Sequence, residues 1–415
     1  MNRRRVVVTG LGAVTPAGND VPSMWASLKA GRSSVARAPR LEAADCRSQI
    51  AAEVRHFDPD ALPARQDPSR LARSAQFALG AALEAWRDAG LSAGPVDVGH
   101  SGVILGTGFG DSAETFHQTQ SYLRSGVRGV NPAYAPRAMC NAAAAHVSLE
   151  FGLRGPSFSV GSACAAAGHA IGLALRLIQH GDADLILAGG AEEISCILAP
   201  AAFDALRALS RRNDRPQEAS RPFDRHRDGF VLGEGAGVLV LEEWQHAVRR
   251  GARIHAELAG FGMASEAHHL TAPDPQGEGA AQAMRIALSD AGRQPTDVGY
   301  VHAHGTSTPL NDAMETRALR QALGAHAEAV LVSSSKSMIG HLLGASAAVG
   351  LIATVLAMHE GVIPPTINYE EPDPECDLDY VPNASRQKAV DLALVNSFAF
   401  GGHCVSLAVQ QASAN

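Results

Sequence analysis

Three observations predict an α/β fold with a duplicated architecture. Short apolar strand-like runs alternate with Ala-rich helical stretches. One strand-to-helix unit occurs twice in related form. The chain of 415 residues exceeds the usual ceiling for one hydrophobic core, so two intimately packed halves are expected.

The strand-like runs include Arg5 to Thr9, Ser101 to Leu105, Asp184 to Ala188, Gly237 to Leu241 and Val330 to Val332. They are short and almost wholly apolar, which places their sheets under cover on both faces. The repeated unit is Phe158-Ser-Val-Gly-Ser-Ala-Cys164, leading into a helix to about His180, and Val330-Leu-Val-Ser-Ser-Ser-Lys336, leading through His341 into a helix to about Glu360. The stretch Arg211 to Asp228 has no apolar period and reads as a long surface loop. The boundary between the halves is expected between Arg249 and Ala256, giving halves of 1–250 and 251–415.

With 46% apolar and 19% charged residues, the chain can build a large interior. A net charge of -7 without long like-sign runs offers no footprint for nucleic acid or an anionic membrane, and neither partner is expected. After Arg3-Arg4-Arg5 only Val6-Val-Val8 precede Thr9-Gly10, too short for a signal peptide, so a cytoplasmic location is expected. The six cysteines (46, 140, 164, 196, 376, 404) have no ligand-like spacing, which argues against zinc and, in a reducing compartment, against disulfides.

Cys164 is followed by Ala165-Ala-Ala-Gly168, small residues that permit a helix to begin almost at the sulfur. The positive end of the helix dipole there is expected to lower the thiol pKa toward a nucleophilic thiolate. A free cysteine is also often a small buried hydrophobe, so the local context leaves both readings open. In Tyr300-Val-His-Ala-His304-Gly-Thr-Ser-Thr-Pro309 an apolar strand runs into a Gly, Thr and Pro turn, which sets His304 at a strand mouth. His302 shares its strand face, but no third ligand accompanies the pair, and no metal is expected. Lys336 and His341 fall within Ser333-Ser-Ser-Lys336-Ser-Met-Ile-Gly-His341, again between strand and helix. Two histidines and a cysteine at equivalent corners favour one shared site. The Gly-rich runs Thr9-Gly-Leu-Gly-Ala-Val14 and Gly106-Thr-Gly-Phe-Gly110 do not complete a dinucleotide fingerprint, and no nucleotide is expected.

Gly155-Pro-Ser, Ala163-Cys164, Arg221-Pro-Phe-Asp224, Asp228-Gly-Phe-Val-Leu-Gly-Glu-Gly235, His304-Gly-Thr-Ser-Thr-Pro309, Lys336-Ser-Met-Ile-Gly-His341 and Asn396-Ser-Phe-Ala-Phe-Gly-Gly402 stand in that order. Together they resemble the β-ketoacyl-acyl carrier protein synthases, especially synthase II, over essentially the whole chain. The resemblance implies a thiolase fold, with duplicated halves in a five-layer αβαβα arrangement, and a decarboxylative Claisen condensation. An acyl group passes from a carrier protein's phosphopantetheine to Cys164; a malonyl carrier then loses carbon dioxide and attacks the thioester.

By that resemblance His304 and His341 stabilise the enolate, and Lys336 orients His341 and the malonyl carboxylate. The backbone N–H groups of Cys164 and Phe400 bind the oxyanion, and Phe400 gates the two half-reactions. Thr306 and Thr308 hold the pantetheine arm. Phe109 and Phe203 line the acyl tunnel, with Tyr134 arriving from a second subunit. Arg207 contacts the acidic carrier, with Arg70 and Arg73 as weaker candidates. No bound cofactor is implied, only phosphopantetheine delivered on the carrier. The implied assembly is a homodimer, or a heterodimer with a chain-length factor.

Four positions depart from many fatty-acid synthases: Ala399-Phe-Gly-Gly-His403-Cys404 stands in place of Gly-Phe-Gly-Gly-Thr-Asn, and Gly350 in place of a Glu. With Asn311-Asp-Ala-Met-Glu315 and Ile339 they look more like polyketide synthase components, which leaves both fatty-acid elongation and polyketide or polyene assembly open. Two other functions compete: a degradative thiolase, expected to use a second cysteine as base, and a non-catalytic chain-length subunit, expected to lack the nucleophile.

Overall fold

The computed structural model describes residues 3–94 and 96–413. Ten strands form one mixed sheet: β1 (Val6–Val14), β2 (Ser101–Gly106), β3 (Ser157–Val160), β4 (Leu185–Glu192), β5 (Gly235–Glu243), β6 (Ala256–Ser265), β7 (Tyr300–His302), β8 (Leu331–Ser333), β9 (Leu392–Ala399) and β10 (His403–Gln410). Their spatial order is β8-β7-β9-β10-β6-β1-β5-β4-β2-β3.

Read outward from the centre, the two halves are β1-β5-β4-β2-β3 and β6-β10-β9-β7-β8. In the first, two antiparallel pairings are followed by two parallel ones. The second repeats this sequence of pairings. The halves meet through a short antiparallel contact of Val7 with Glu257 and Val8 with Ala256. The duplication hinted at by one repeated unit therefore extends to the whole topology.

Seven helices matter for the site: α1 (Arg73–Asp88), α2 (Ser112–Ser125), α3 (Ala142–Phe151), α4 (Ala166–His180), α5 (Glu278–Asp290), α6 (Pro309–Leu323) and α7 (Ser346–Glu360). Helices α4 and α7 each touch strands of both half-sheets and form the middle layer. Helices α1 and α3 cover the outer face of the first half, and α5 and α6 that of the second. The result is five layers.

A middle-layer helix has no solvent face, which is why α7 is apolar nearly all round. The stretch Leu343–Glu360 is long and apolar enough to cross a membrane, yet 83% of it is buried within the protein. Small residues allow the close packing: a Cβ at Gly172 of α4 would stand 2.3 Å from the Phe261 ring.

Strand β1 continues to Val14, beyond the end suggested by Thr9-Gly10. Gly10 and Gly12 bring its backbone against α1, where a Cβ would lie 2.2 and 1.9 Å from the carbonyl oxygens of Ala85 and Ala81. The expectation of a surface loop over Arg211 to Asp228 is corrected in its second part. Arg221 and Asp224 are 1% and 0% exposed, and Phe223 stacks on Tyr380 with ring centroids 4.0 Å apart. The buried Arg221 to Asp224 ion pair, at 3.2 Å, lets polar residues enter the interior without an apolar period.

Candidate active site

Strand β3 ends in a 3-10 turn, Ala163–Ala165, that carries Cys164 directly into α4. Ala163 has φ 49°, a left-handed conformation uncommon for a residue with a side chain. Ser397 of β9 holds the turn by donating its hydroxyl to the Cys164 carbonyl at 2.7 Å. In the second half the turn Leu343–Ala345 leads into α7 in the same way, with φ 46° at Leu343. The two turns pack against each other. The duplicated fold thus brings its two strand-to-helix corners together at one point.

His341, just before the second turn, places Nε2 3.1 Å from Cys164 Sγ. Its Nδ1 accepts the Leu343 N–H at 3.2 Å and lies 2.9 Å from Ser346 Oγ. An Nδ1 that accepts a backbone N–H carries no proton, so the neutral ring bears its proton on Nε2 and faces the sulfur as a donor. His304, at the mouth of β7, stands with its ring centroid 5.3 Å from that of His341. Glu315 of α6 fixes the backbone there, accepting the N–H groups of His304 and Gly305 at 2.8 and 2.7 Å. Burial, and next the Lys336 charge, hold both imidazoles well below the usual histidine range. Both therefore remain neutral donors at physiological pH.

Burial pushes the Cys164 thiol up to about 12, while the Lys336 charge acts in the opposite direction. The expectation of a lowered pKa counted the helix terminus and not the partial burial of the sulfur, which acts against it. Thiolate formation is then left to Lys336, the helix N-terminus and the His341 Nε2–H. Lys336 is itself buried and its pKa lowered by burial, with Glu315 and Cys164 the main charges resisting the shift. The hydrogen bonds that fix the His341 ring come from Leu343 and Ser346, while Lys336 acts on it through its charge. Lys336→Met should therefore slow alkylation of Cys164 by iodoacetamide at pH 8 about tenfold, by weakening the thiolate without misplacing His341. An unchanged rate would separate Lys336 from the thiol.

Cys164, His304 and His341 open onto a cavity of about 520 Å³ whose lining is mostly apolar. Phe109, Phe203, Phe400, Thr306, Thr308 and Arg207 also line it. Phe203 is the hub, with ring centroids 5.7 Å from Phe109, 5.3 Å from Phe230 and 6.2 Å from Phe400. Phe230 reaches His341 at 5.4 Å. Phe400 stands in the tight turn between β9 and β10, where Gly401 and Gly402 have φ 86° and 76°. Thr306 and Thr308 share a hydroxyl hydrogen bond of 2.9 Å, and Thr308 caps α6. Arg207 is exposed at the rim.

Three other candidates stand apart. Tyr134 is half-buried and does not line this cavity within the protomer. Arg73 is engaged with Glu234 at 2.7 Å, which withdraws it from an incoming carrier. Arg70 is exposed and pairs with Asp67 at 3.1 Å, away from the cavity lining.

Phe230, Glu192 and Glu315 are functional neighbours with no role legible in the sequence alone. Glu192 and Glu315 are wholly buried acids beside the site, the first ending an apolar strand. A charged residue closing such a run was the available signal. Gly350 also acquires a reason: a Cβ there would lie 2.7 Å from the His302 ring, which fills the space and bonds Ser335 Oγ at 3.0 Å.

Residues 3–247 match the family model described as Beta-ketoacyl synthase, N-terminal domain, and residues 255–370 match Beta-ketoacyl synthase, C-terminal domain. A 3-oxoacyl-[acyl-carrier-protein] synthase 2 of Coxiella burnetii is 46% identical over 402 residues, 97% of either chain. Its namesake in Synechocystis is 46% identical over 411 residues, 99% of either chain. Among solved structures, a ketosynthase in complex with its type II polyketide acyl-carrier protein superposes with a TM-score of 0.93 at 34% identity, covering 99% of this chain and 100% of that one. The ishigamide ketosynthase/chain length factor gives a TM-score of 0.93 at 36% identity, with the same coverage.

Proposed function

The chain belongs to the β-ketoacyl synthase family and has its thiolase fold, and we propose that its cavity performs both halves of an elongation cycle. As a 3-oxoacyl-[acyl-carrier-protein] synthase-type acyltransferase it condenses an enzyme-bound acyl group with malonyl carrier in fatty-acid or polyketide elongation. The proposal lies in the residues. Cys164 takes the acyl group, its sulfur displacing the carrier thiol. The malonyl thioester then loses carbon dioxide, and its carbonyl oxygen gathers negative charge between the imidazole N–H groups of His304 and His341. The resulting carbanion attacks the acyl thioester, forming a carbon-carbon bond and expelling the Cys164 thiolate.

The observation that carries this reading is the contact of His341 Nε2 with Cys164 Sγ at 3.1 Å, with the His304 ring beside it, at one wall of an apolar cavity. Residues 1–250 carry the nucleophile in this scheme, and 251–415 carry Lys336 and the histidines. Incubation with acyl and malonyl carriers should yield a 3-oxoacyl carrier two carbons longer; acetyl-CoA exchange without malonyl would favour a thiolase instead.

The wall formed by Phe109, Phe203 and Phe400 is assigned to the acyl chain, with Thr306 and Thr308 on the pantetheine arm. Phe109 is 47% exposed in the isolated chain, so it is no core side chain here. Phe109→Ala should extend the acyl chains accepted on Cys164 by one or more two-carbon units, at about 0.8 kcal/mol per methylene buried. Mass spectrometry of trapped adducts measures this, and an unchanged length profile would assign the limit elsewhere.

An acidic carrier is proposed to dock at Arg207, in keeping with the carrier complex of the structural relative. Arg207 has no ion-pair partner among the described residues. Arg207→Glu should slow loading from acyl carrier about tenfold at low salt and leave loading from a small thioester unchanged. Equal effects on both donors would dismiss the patch. A homodimer is proposed through the free edge of β3, where Phe158 is 37% exposed, and through α2, which buries no residue while exposing Leu123. Sedimentation at the mass of one chain, rising only with an added chain-length factor, would replace it by a heterodimer. The site of action is proposed to be the cytoplasm, which cell fractionation tests.

A further inference from the structure

We propose that Glu192 is a positioning residue that couples the acyl wall of the cavity to His341, by holding the Phe109 turn and the Leu343-Gly344 turn on a single carboxylate. The inference rests on the roles assigned above to Cys164 and His341. Glu192 ends β4 and is 0% exposed. Its Oε1 accepts the Phe109 N–H at 3.0 Å and the Thr107 hydroxyl at 3.2 Å. Its Oε2 accepts the Gly108 N–H at 2.6 Å and the Gly344 N–H at 3.0 Å. One oxygen thus bridges a turn of the first half and a turn of the second.

Both turns are glycine at the contact because the carboxylate and the opposite backbone occupy the space. A Cβ at Gly108 would lie 2.9 Å from Oε2, and one at Gly344 would lie 2.7 Å from it and 2.4 Å from the Gly108 nitrogen. Each grip lies next to a working group. The Phe109 ring meets Phe203 in the cavity wall. The Leu343 N–H, one residue before Gly344, holds His341 Nδ1 and sets its tautomer. A shift of the Phe109 turn as an acyl chain enters pulls the carboxylate, and the short 3-10 turn passes that displacement to the imidazole.

An ionised carboxylate is suited to this because it only accepts, and every partner here is a donor. Burial pushes Glu192 up to about 7 against the pull of the backbone N–H groups and the Thr107 hydroxyl, which favour the ionised form. Glu192→Gln keeps the shape but turns one acceptor into a donor facing an N–H or hydroxyl, so one side of the bridge opens.

The experiment compares malonyl decarboxylation on free enzyme with that on enzyme acylated at Cys164 by short and long chains. In the wild type, acylation should accelerate decarboxylation to a degree that depends on chain length. In Glu192→Gln that acceleration should fall about tenfold, the effect of one charge-assisted hydrogen bond, and by clearly more than loading from a small thioester falls. Thr107→Val, which removes one donor to Glu192 and also the acceptor of the Gly110 N–H at 2.9 Å, should lower it in the same direction, and it decides the matter if Glu192→Gln does not fold. Retention of the wild-type acceleration in a folded variant would overturn the coupling. Loss of loading and decarboxylation in equal proportion would reduce Glu192 to a structural role and overturn it as well. A wild type that carries no acyl adduct on Cys164 would instead overturn the reading of the site on which the coupling rests.

Discussion

Cys164→Ala should abolish the acyl adduct and reduce condensation by at least about 10⁴-fold, because no other nucleophile in the cavity can take its part. Cys140 is exposed and Cys46, Cys196, Cys376 and Cys404 are buried, and none of them lines the cavity. The fold should survive the change. Ser397 bonds the Cys164 carbonyl, not the sulfur, and the Ala163–Ala165 turn needs no thiol. Hydroxylamine-sensitive radiolabel from acyl carrier measures the adduct, and its persistence in Cys164→Ala would remove the covalent scheme. Malonyl decarboxylation should continue in this variant, since both imidazole donors remain.

The histidines should divide the reaction the other way. His304→Ala and His341→Ala should each lower malonyl decarboxylation about 10² to 10³-fold, the loss expected when one donor to a developing oxyanion is removed. Acyl loading should fall much less in His304→Ala, whose ring stands beside His341. His341→Ala should lose more, because Nε2–H touches the sulfur at 3.1 Å and stabilises its thiolate. Release of labelled carbon dioxide and adduct mass, measured on the same preparations, separate the two effects. Equal loss of both half-reactions in folded variants would contradict the division.

The low imidazole pKa values add a test with a definite sign. The folded pKa of each ring lies well below the ordinary 6.5, so the unfolded chain binds the proton more tightly. Their contribution to stability is therefore complete above about pH 6.5 and is lost as the pH falls below it.

Chemistry-bearing residues that belong to one short segment were legible in the sequence. Cys164 before small residues, His304 at a strand mouth, and Lys336 with His341 each carry their signal within a few positions. The α/β alternation and the hint of duplication were legible for the same reason, because hydrophobic period and turn residues are local. The resemblance added the order of these segments over the whole chain.

What only the tertiary structure decided are the quantities that depend on residues far apart. The His341 proton was unreadable because Leu343 adopts φ 46° and turns its N–H onto Nδ1. The raising effect of burial on the Cys164 thiol was invisible because it comes from the surrounding fold and not from the helix end beside it. Gly350 looked like a lost carboxylate until the His302 ring, 48 positions earlier, was found in its space. Glu192 looked like the polar end of a strand, and its meaning lies in donors 83 to 85 residues before it and 152 after it. A local pattern specifies which side chain a segment presents, but its charge, tautomer and reach are set by whatever the fold packs around it.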